Sequence, residues 1–212
     1  EFRRVLFRSE LDSFCRYFGS IPCCWFSNAL LALEWYAPDR FRLVDRQAKL
    51  RYKFSCLNRL ISHGREYRLA MSAYLFNTVD HNHLQLSCSM IDPSTGVKAA
   101  QLKKFLTTEH ARLLDTFDGR NDPLSINVNH SDIDKSGIRN ASFDTNRSYF
   151  NETFCHVVTE TMFNDTLHLT EKSLRPFVNC RPFILAGPPG SLRTLRDYGF
   201  KTFGDFWSER YD

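Results

Sequence analysis

The chain has no apolar run approaching the ~20 residues that a membrane-spanning helix requires, so no segment reads as a transmembrane anchor. It also lacks a paired cysteine framework. Its seven cysteines are odd in number and scattered, which points to a reducing, cytoplasmic setting rather than a disulfide scaffold. Cys23-Cys24 has no second pair at metal-ligand spacing and reads as packing. An excess of one charge is missing too, once the first residues are set aside. Glu1-Phe-Arg-Arg-Val-Leu-Phe-Arg-Ser9 reads like a translated sequencing-library adapter. Removing Glu1, Arg3, Arg4 and Arg8 takes two positive charges from the formal net of +4. A nearly neutral remainder leaves RNA binding as the weakest functional class.

What is present is the composition of a soluble globular domain, 42% hydrophobic and 25% charged. Nineteen phenylalanines suit a sheet with well-filled faces. The most informative stretch runs from Leu169 to Leu192. Thr170-Glu171-Lys172 opens a short apolar helical run, in which Pro176 favours a start nearer Ser173. Pro182-Phe183-Ile184-Leu185-Ala186 is a continuous apolar strand of the kind found inside a parallel sheet. Gly187-Pro188-Pro189-Gly190 stops it, and a further helix opens at Ser191 and closes near Gly199. Helix, strand and helix in succession predict an α/β fold, a Rossmann-like parallel sheet with flanking helices. A helix amino terminus attracts phosphate through free N–H groups and partial charge. Lys172 adds a full charge, and Glu171 is placed to accept hydrogen bonds from a ribose. The plainer alternative is that Thr170 is only an N-cap and the next two residues a solvated first turn.

Upstream, Tyr52 to Leu57 alternates as a first strand with Asn58-Arg59 at its carboxyl end, and Arg65 to Leu75 reads as a helix. Leu84 to Ile91 alternates as a second strand, while His81-Asn82-His83 before it reads as a turn rather than a metal site. Asp92-Pro93-Ser94-Thr95-Gly96 is a strong turn signal. Leu102, Phe105, Leu106 and Leu113 share one face of a helix expected over Gln101 to Leu114. Residues 117–149 lose periodicity and read as a loop or polar insertion. Phe154 to Thr161 is a third strand, putting Glu160 and Glu171 on one rim of the sheet.

The Thr170-Glu171-Lys172 triplet, the helical turn and the apolar strand ending in Gly187 resemble the donor-binding segment of the α1,3-fucosyltransferase family. The order strand, Asn58-Arg59, loop, Arg65, helix resembles the start of the donor lobe in that family. The resemblance covers roughly residues 50–212. It departs at Leu167-His168-Leu169, where the family carries an aromatic residue. It implies a two-lobed GT-B architecture, with 49–212 as the nucleotide-sugar-binding lobe and 10–48 as a remnant of the other lobe or the interlobe link. It implies a nucleotide-diphosphate sugar as donor, GDP-fucose being the first candidate, a glycan acceptor, and no metal or other cofactor. Asn58, Arg59, Arg65, Arg68, Glu160, Thr170, Glu171 and Lys172 are the implied substrate-binding residues. Arg65 or Arg68 would converge with Lys172 on the diphosphate, since the planar guanidinium grips phosphate oxygens in pairs. Glu160 either binds a ribose or sugar hydroxyl or pairs with Lys172, and both readings stay open. The catalytic base is expected in the amino-terminal lobe, so none is named, and the chain is expected to be a fragment. A eukaryotic source would move the setting to the Golgi lumen. Two other classes compete: a non-catalytic nucleotide- or phosphate-binding module, and a structural or interaction protein using the aromatic-rich stretch that ends at Asp212.

Overall fold

The computed structural model of the chain describes residues 49–121, 147–164 and 167–212. The expectations for the first nine residues, for 10–48 with its Cys23-Cys24 pair, and for most of 117–149 lie outside the described residues. Five strands form one sheet: β1 (Tyr52–Asn58), β2 (Leu84–Cys88), β3 (Arg120–Asn121), β4 (Thr153–Thr159) and β5 (Phe183–Ala186), in the order β3-β2-β1-β4-β5. All neighbours pair in parallel except β3, which lies antiparallel to β2. The helices are α1 (Tyr67–Thr78), α2 (Ala99–Leu102), α3 (Thr108–Leu113), α4 (Arg147–Glu152), α5 (Glu171–Val178) and α6 (Ser191–Asp197). This is the expected α/β, Rossmann-like sheet.

Two cores lie on its two faces, and the period-2 alternation of strands explains the division. On one face Leu69, Ala73 and Leu75 of α1 pack with Cys56, Leu84, Leu86 and Val157. The next residue of β4, Val158, turns to the other face and packs with Leu174 of α5, Phe183 and Leu185 of β5, and Leu192 and Leu195 of α6. The phenylalanines fill that second face edge to face. Phe177 meets Phe183 at 4.9 Å and 67°, and Phe183 meets Phe203 at 5.4 Å and 87°. Each fully buried Leu or Phe here contributes roughly 1.5–3 kcal/mol of transfer free energy.

The connection β1–α1–β2 steps one way from β1, and β4–α5–β5 steps the other way. The chain therefore reverses direction between β1 and β4, and a crevice forms outside the carboxyl ends of these two strands. Asn58 and Glu160 stand at that point.

Four local expectations are corrected. The strand Phe183–Ala186 is an edge strand among the described residues, not an interior one. Its apolar run reflects burial of Phe183 and Leu185 beneath α5 and α6 and a cavity wall on the Ile184 side. β2 ends at Cys88 because the chain then turns back on itself, with Ile91 bridging Lys98 and Asp92 N–H donating to Val97 O at 2.8 Å. The helix expected over Gln101 to Leu114 is broken. A 3-10 turn at Lys103–Phe105 intervenes, and Thr107 caps a new helix by accepting from His110 N at 3.2 Å. Phe105 is consequently 63% exposed rather than on a buried face. Finally, α5 starts at Glu171 and not near Ser173, because Thr170 is its cap and Lys172 N–H donates to Thr170 Oγ1 at 3.4 Å. Pro176 sits inside that helix, where it removes one intrahelical bond, and the helix stops two residues later at Val178.

Candidate functional site

A cavity of about 1030 Å³ opens at the carboxyl edge of the sheet. His63, Gly64, Arg65 and Tyr67 come to it from the loop after β1 and the start of α1. Thr161, Met162, Phe163 and Asn164 come from the end of β4, and Ala186 and Gly187 from the end of β5. Its outer wing is apolar, formed by Met71 and Tyr74 of α1 together with Phe105 and Leu106. A volume of this size accommodates a nucleotide-sized ligand, since such pockets run to roughly 1,000 Å³.

The β1–α1 loop is held in an unusual shape. His63 has φ 58° and Gly64 φ 80°, both in the left-handed region. A histidine adopts that conformation only where its surroundings over-determine it. Here the determinant is Asp92, which the sequence presents only as a turn residue. Its Oδ2 accepts from Ile61 N at 2.8 Å, Ser62 N at 3.0 Å and Ser62 Oγ at 3.0 Å. Its Oδ1 accepts from Ser94 N at 2.9 Å, Ser94 Oγ at 2.7 Å and Thr95 N at 3.2 Å. Burial opposes the charge of Asp92, but the hydrogen bonds from Ser94, Ile61 and Ser62 outweigh it and hold the carboxyl well below its ordinary range. The Asp92 turn thus staples the loop that carries Arg65.

Arg65 lines the cavity and donates from Nη1 to Ser62 O at 3.1 Å and His63 O at 3.5 Å. Those bonds orient the guanidinium, and its remaining nitrogens have no partner among the described residues. Arg68 does something different. It is 4% exposed and donates to Leu60 O at 3.0 Å, Thr159 O at 3.3 Å and Glu160 O at 2.8 Å. It ties the end of β4 to the end of β1 from within, so its expected place on a diphosphate is corrected to one inside the fold. Asn58 is also internal. It accepts from Thr159 Oγ1 across the two central strands and donates to Ser72 Oγ at 3.0 Å. Arg59 is half-buried and does not line the cavity.

Glu160 is fully buried, and Lys172 is not among its partners. It accepts from Thr170 N at 3.0 Å, Thr170 Oγ1 at 2.6 Å, Thr161 N at 3.0 Å and Ser173 Oγ. It anchors the cap of α5 to the end of β4. Gly187 packs closely beside it. A Cβ at that position would meet Ser191 Oγ at 3.1 Å and the Glu160 side chain at 3.5 Å. The pairing expected between Glu160 and Lys172 goes instead to Glu171, whose Oε1 lies 2.9 Å from Lys172 Nζ. Burial disfavours the charged form of Glu171, but the charge and hydrogen bond of Lys172 prevail and lower its pKa.

Lys172 Nζ also donates to Thr161 Oγ1 and Thr170 Oγ1, each at 3.2 Å. It lines a separate cleft of about 60 Å³ with Leu57, His156, Val158, Arg175 and Pro176. Arg65 and Lys172 therefore do not meet over one cavity. Lys172 reaches the large cavity only through Thr161, which lines it. Of the eight residues singled out from sequence, Arg65 alone lines the large cavity. Reading the sequence missed Tyr67 and Phe163. Their rings stack at 4.5 Å and 22° across the crevice, a pairing that no local pattern signals.

The α6 amino terminus offers no anion site, because Asp212 accepts from Leu192 N at 2.8 Å and Arg193 N at 3.2 Å. Among the described residues no group of three His, Cys, Asp or Glu side chains gathers as a metal would require, and no helix is long and apolar enough to cross a membrane. No family model, curated protein or solved structure matches the chain.

Proposed function

We propose that the carboxyl edge of this sheet is a nucleotide-binding site, and that the domain is the donor lobe of a glycosyltransferase of GT-B type. Its donor would be a nucleotide-diphosphate sugar, GDP-fucose first, and its acceptor a glycan. The observation that carries the reading is the cavity at the reversal between β1 and β4, with Arg65 on its wall, oriented by two backbone carbonyls and with no other partner among the described residues. Open α/β sheets bind ligands at such a point. Sugar transfer requires stabilisation of a departing diphosphate, and a guanidinium oriented at the cavity wall is suited to supply it. Lys172, paired with Glu171, stands behind Thr161, to which it donates, and does not line the cavity.

A second reading has its own support. Arg68, Glu160 and Thr170 are among the substrate-binding residues that the resemblance implies, and all three are engaged in internal hydrogen bonds. That favours a module that holds a nucleotide and transfers nothing. A thermal-shift panel of GDP, UDP, ADP and pyrophosphate tests the shared claim. Stabilisation by at least one nucleotide, lost in Arg65→Ala, is expected. No shift with any of them overturns both readings. Turnover of GDP-fucose by the protein then separates the transferase from the module.

A further inference from the structure

The geometry points to Phe163 as the platform on which the nucleobase stacks. This rests on the nucleotide reading above and names the part of the ligand that the apolar side of the cavity takes. Phe163 lies against Tyr67 with ring centroids 4.5 Å apart and planes 22° from parallel. Both residues line the large cavity, yet Phe163 remains 52% exposed. One ring face is therefore occupied and the other is offered.

The platform is rigid for identifiable reasons. Tyr67 is the first residue of α1, and its hydroxyl donates to Glu160 O and, at 3.5 Å, to Ala186 O. These bonds clamp its ring to the ends of β4 and β5. Burial pushes the Tyr67 hydroxyl up to about 12, so it stays a donor at any working pH. Phe163 rests on a fixed partner and does not need to be ordered by the ligand. A half-exposed phenylalanine normally gains by folding inward, and here it is held at the mouth of a cavity instead.

The occupant follows from what surrounds the ring. Arg65 lines the same cavity as Tyr67 and Phe163, so one cavity offers a cation for a phosphate and a ring for a base, the two chemistries a mononucleotide combines. An aromatic platform accepts any base, because every base has a π-face. Phe163 consequently strengthens binding without choosing the base.

The test is calorimetric titration of the full chain with GDP, UDP and inorganic pyrophosphate, for wild type, Phe163→Ala and Phe163→Trp. The wild type should bind GDP and UDP more tightly than pyrophosphate. Phe163→Ala should weaken both nucleotides by roughly 5- to 150-fold, the range for losing one aromatic–base stack, and leave pyrophosphate unchanged. Phe163→Trp should restore nucleotide binding, with indole fluorescence quenched by GDP and not by pyrophosphate. Two results overturn the platform while sparing the phosphate site: wild type binding pyrophosphate as tightly as GDP, or a folded Phe163→Ala with unaltered GDP affinity. If none of the three ligands binds the wild type, the platform and the nucleotide reading fall together.

Discussion

Replacing Glu160 by Gln keeps the shape of the side chain and removes only its charge, so it isolates what the carboxylate does. Each of its oxygens receives a backbone N–H that cannot rotate away: Thr161 N on Oε2 and Thr170 N on Oε1, both at 3.0 Å. Whichever way the amide of Gln is turned, its NH₂ group faces one of these donors. One buried N–H is then left without an acceptor, at a cost of about 1–3 kcal/mol. The remaining bonds, including that from Thr170 Oγ1 at 2.6 Å, also lose their charge assistance. We expect a total near 3 kcal/mol, or a fall in Tm of roughly 6–12 °C for a chain of this size. Far-UV circular dichroism during thermal and urea unfolding measures it. Glu171→Gln is the control: its partner Lys172 is one-third exposed and no backbone N–H of another residue is orphaned, so its loss should cost less than that of Glu160. A double substitution with Thr170→Val should be clearly less than additive, because both remove the same link. The opposite outcome is a Glu160→Gln protein that unfolds like wild type while its GDP affinity collapses. That result would place the carboxylate on the ligand and not on the α5 cap.

Asp92→Asn should behave similarly, because both of its oxygens also accept fixed backbone N–H groups. Its folded pKa lies below its ordinary value of 3.8, so its contribution is complete above that pH and is lost as pH falls towards the folded pKa. Acid titration of stability should therefore be shallower below pH 4 in the variant. His156 acts in a different window. Burial, with the Arg181 charge adding to it, lowers its pKa from 6.5 to about 3. Stability should be full above pH 6.5 and fall by about 1.4 kcal/mol per pH unit from there towards pH 3, as only the unfolded chain takes up the proton. Urea midpoints across that range should lose this slope in His156→Phe. Arg68→Lys should cost about 2–3 kcal/mol in a urea melt, since one ammonium cannot serve the Leu60, Thr159 and Glu160 carbonyls together. Arg65→Ala should stay within about 0.5 kcal/mol of wild type.

Much of the fold was legible because periodicity is a local property. Alternation marked β1 and β2, and Gly199 marked the stop after α6 with its φ of 88°. The break at Thr107 was not legible, because the helical spacing of Leu102, Phe105 and Leu106 is equally compatible with a short helix, a 3-10 turn and a fresh start. The edge position of β5 was hidden for a related reason: an apolar run reports burial of faces and not the number of neighbouring strands.

Local pattern was enough to place the four parallel strands and the helices after β1 and β4, and so the α/β sheet, but not the short strand Arg120–Asn121 or the helix starting at Arg147, which lie in a stretch read as a loop. Only the tertiary structure decided where the polar residues of the motif point. Glu160 and Arg68 look like ligand-binding groups in one dimension. The strand order brings the ends of β1 and β4 together and leaves backbone groups at that junction in need of partners. Arg68 and Glu160 supply them from within the fold, while Arg65, three residues before Arg68 and on the rim, keeps its charge for the cavity. The Tyr67–Phe163 stack arises in the same way, from the meeting of β1 and β4 across the chain reversal.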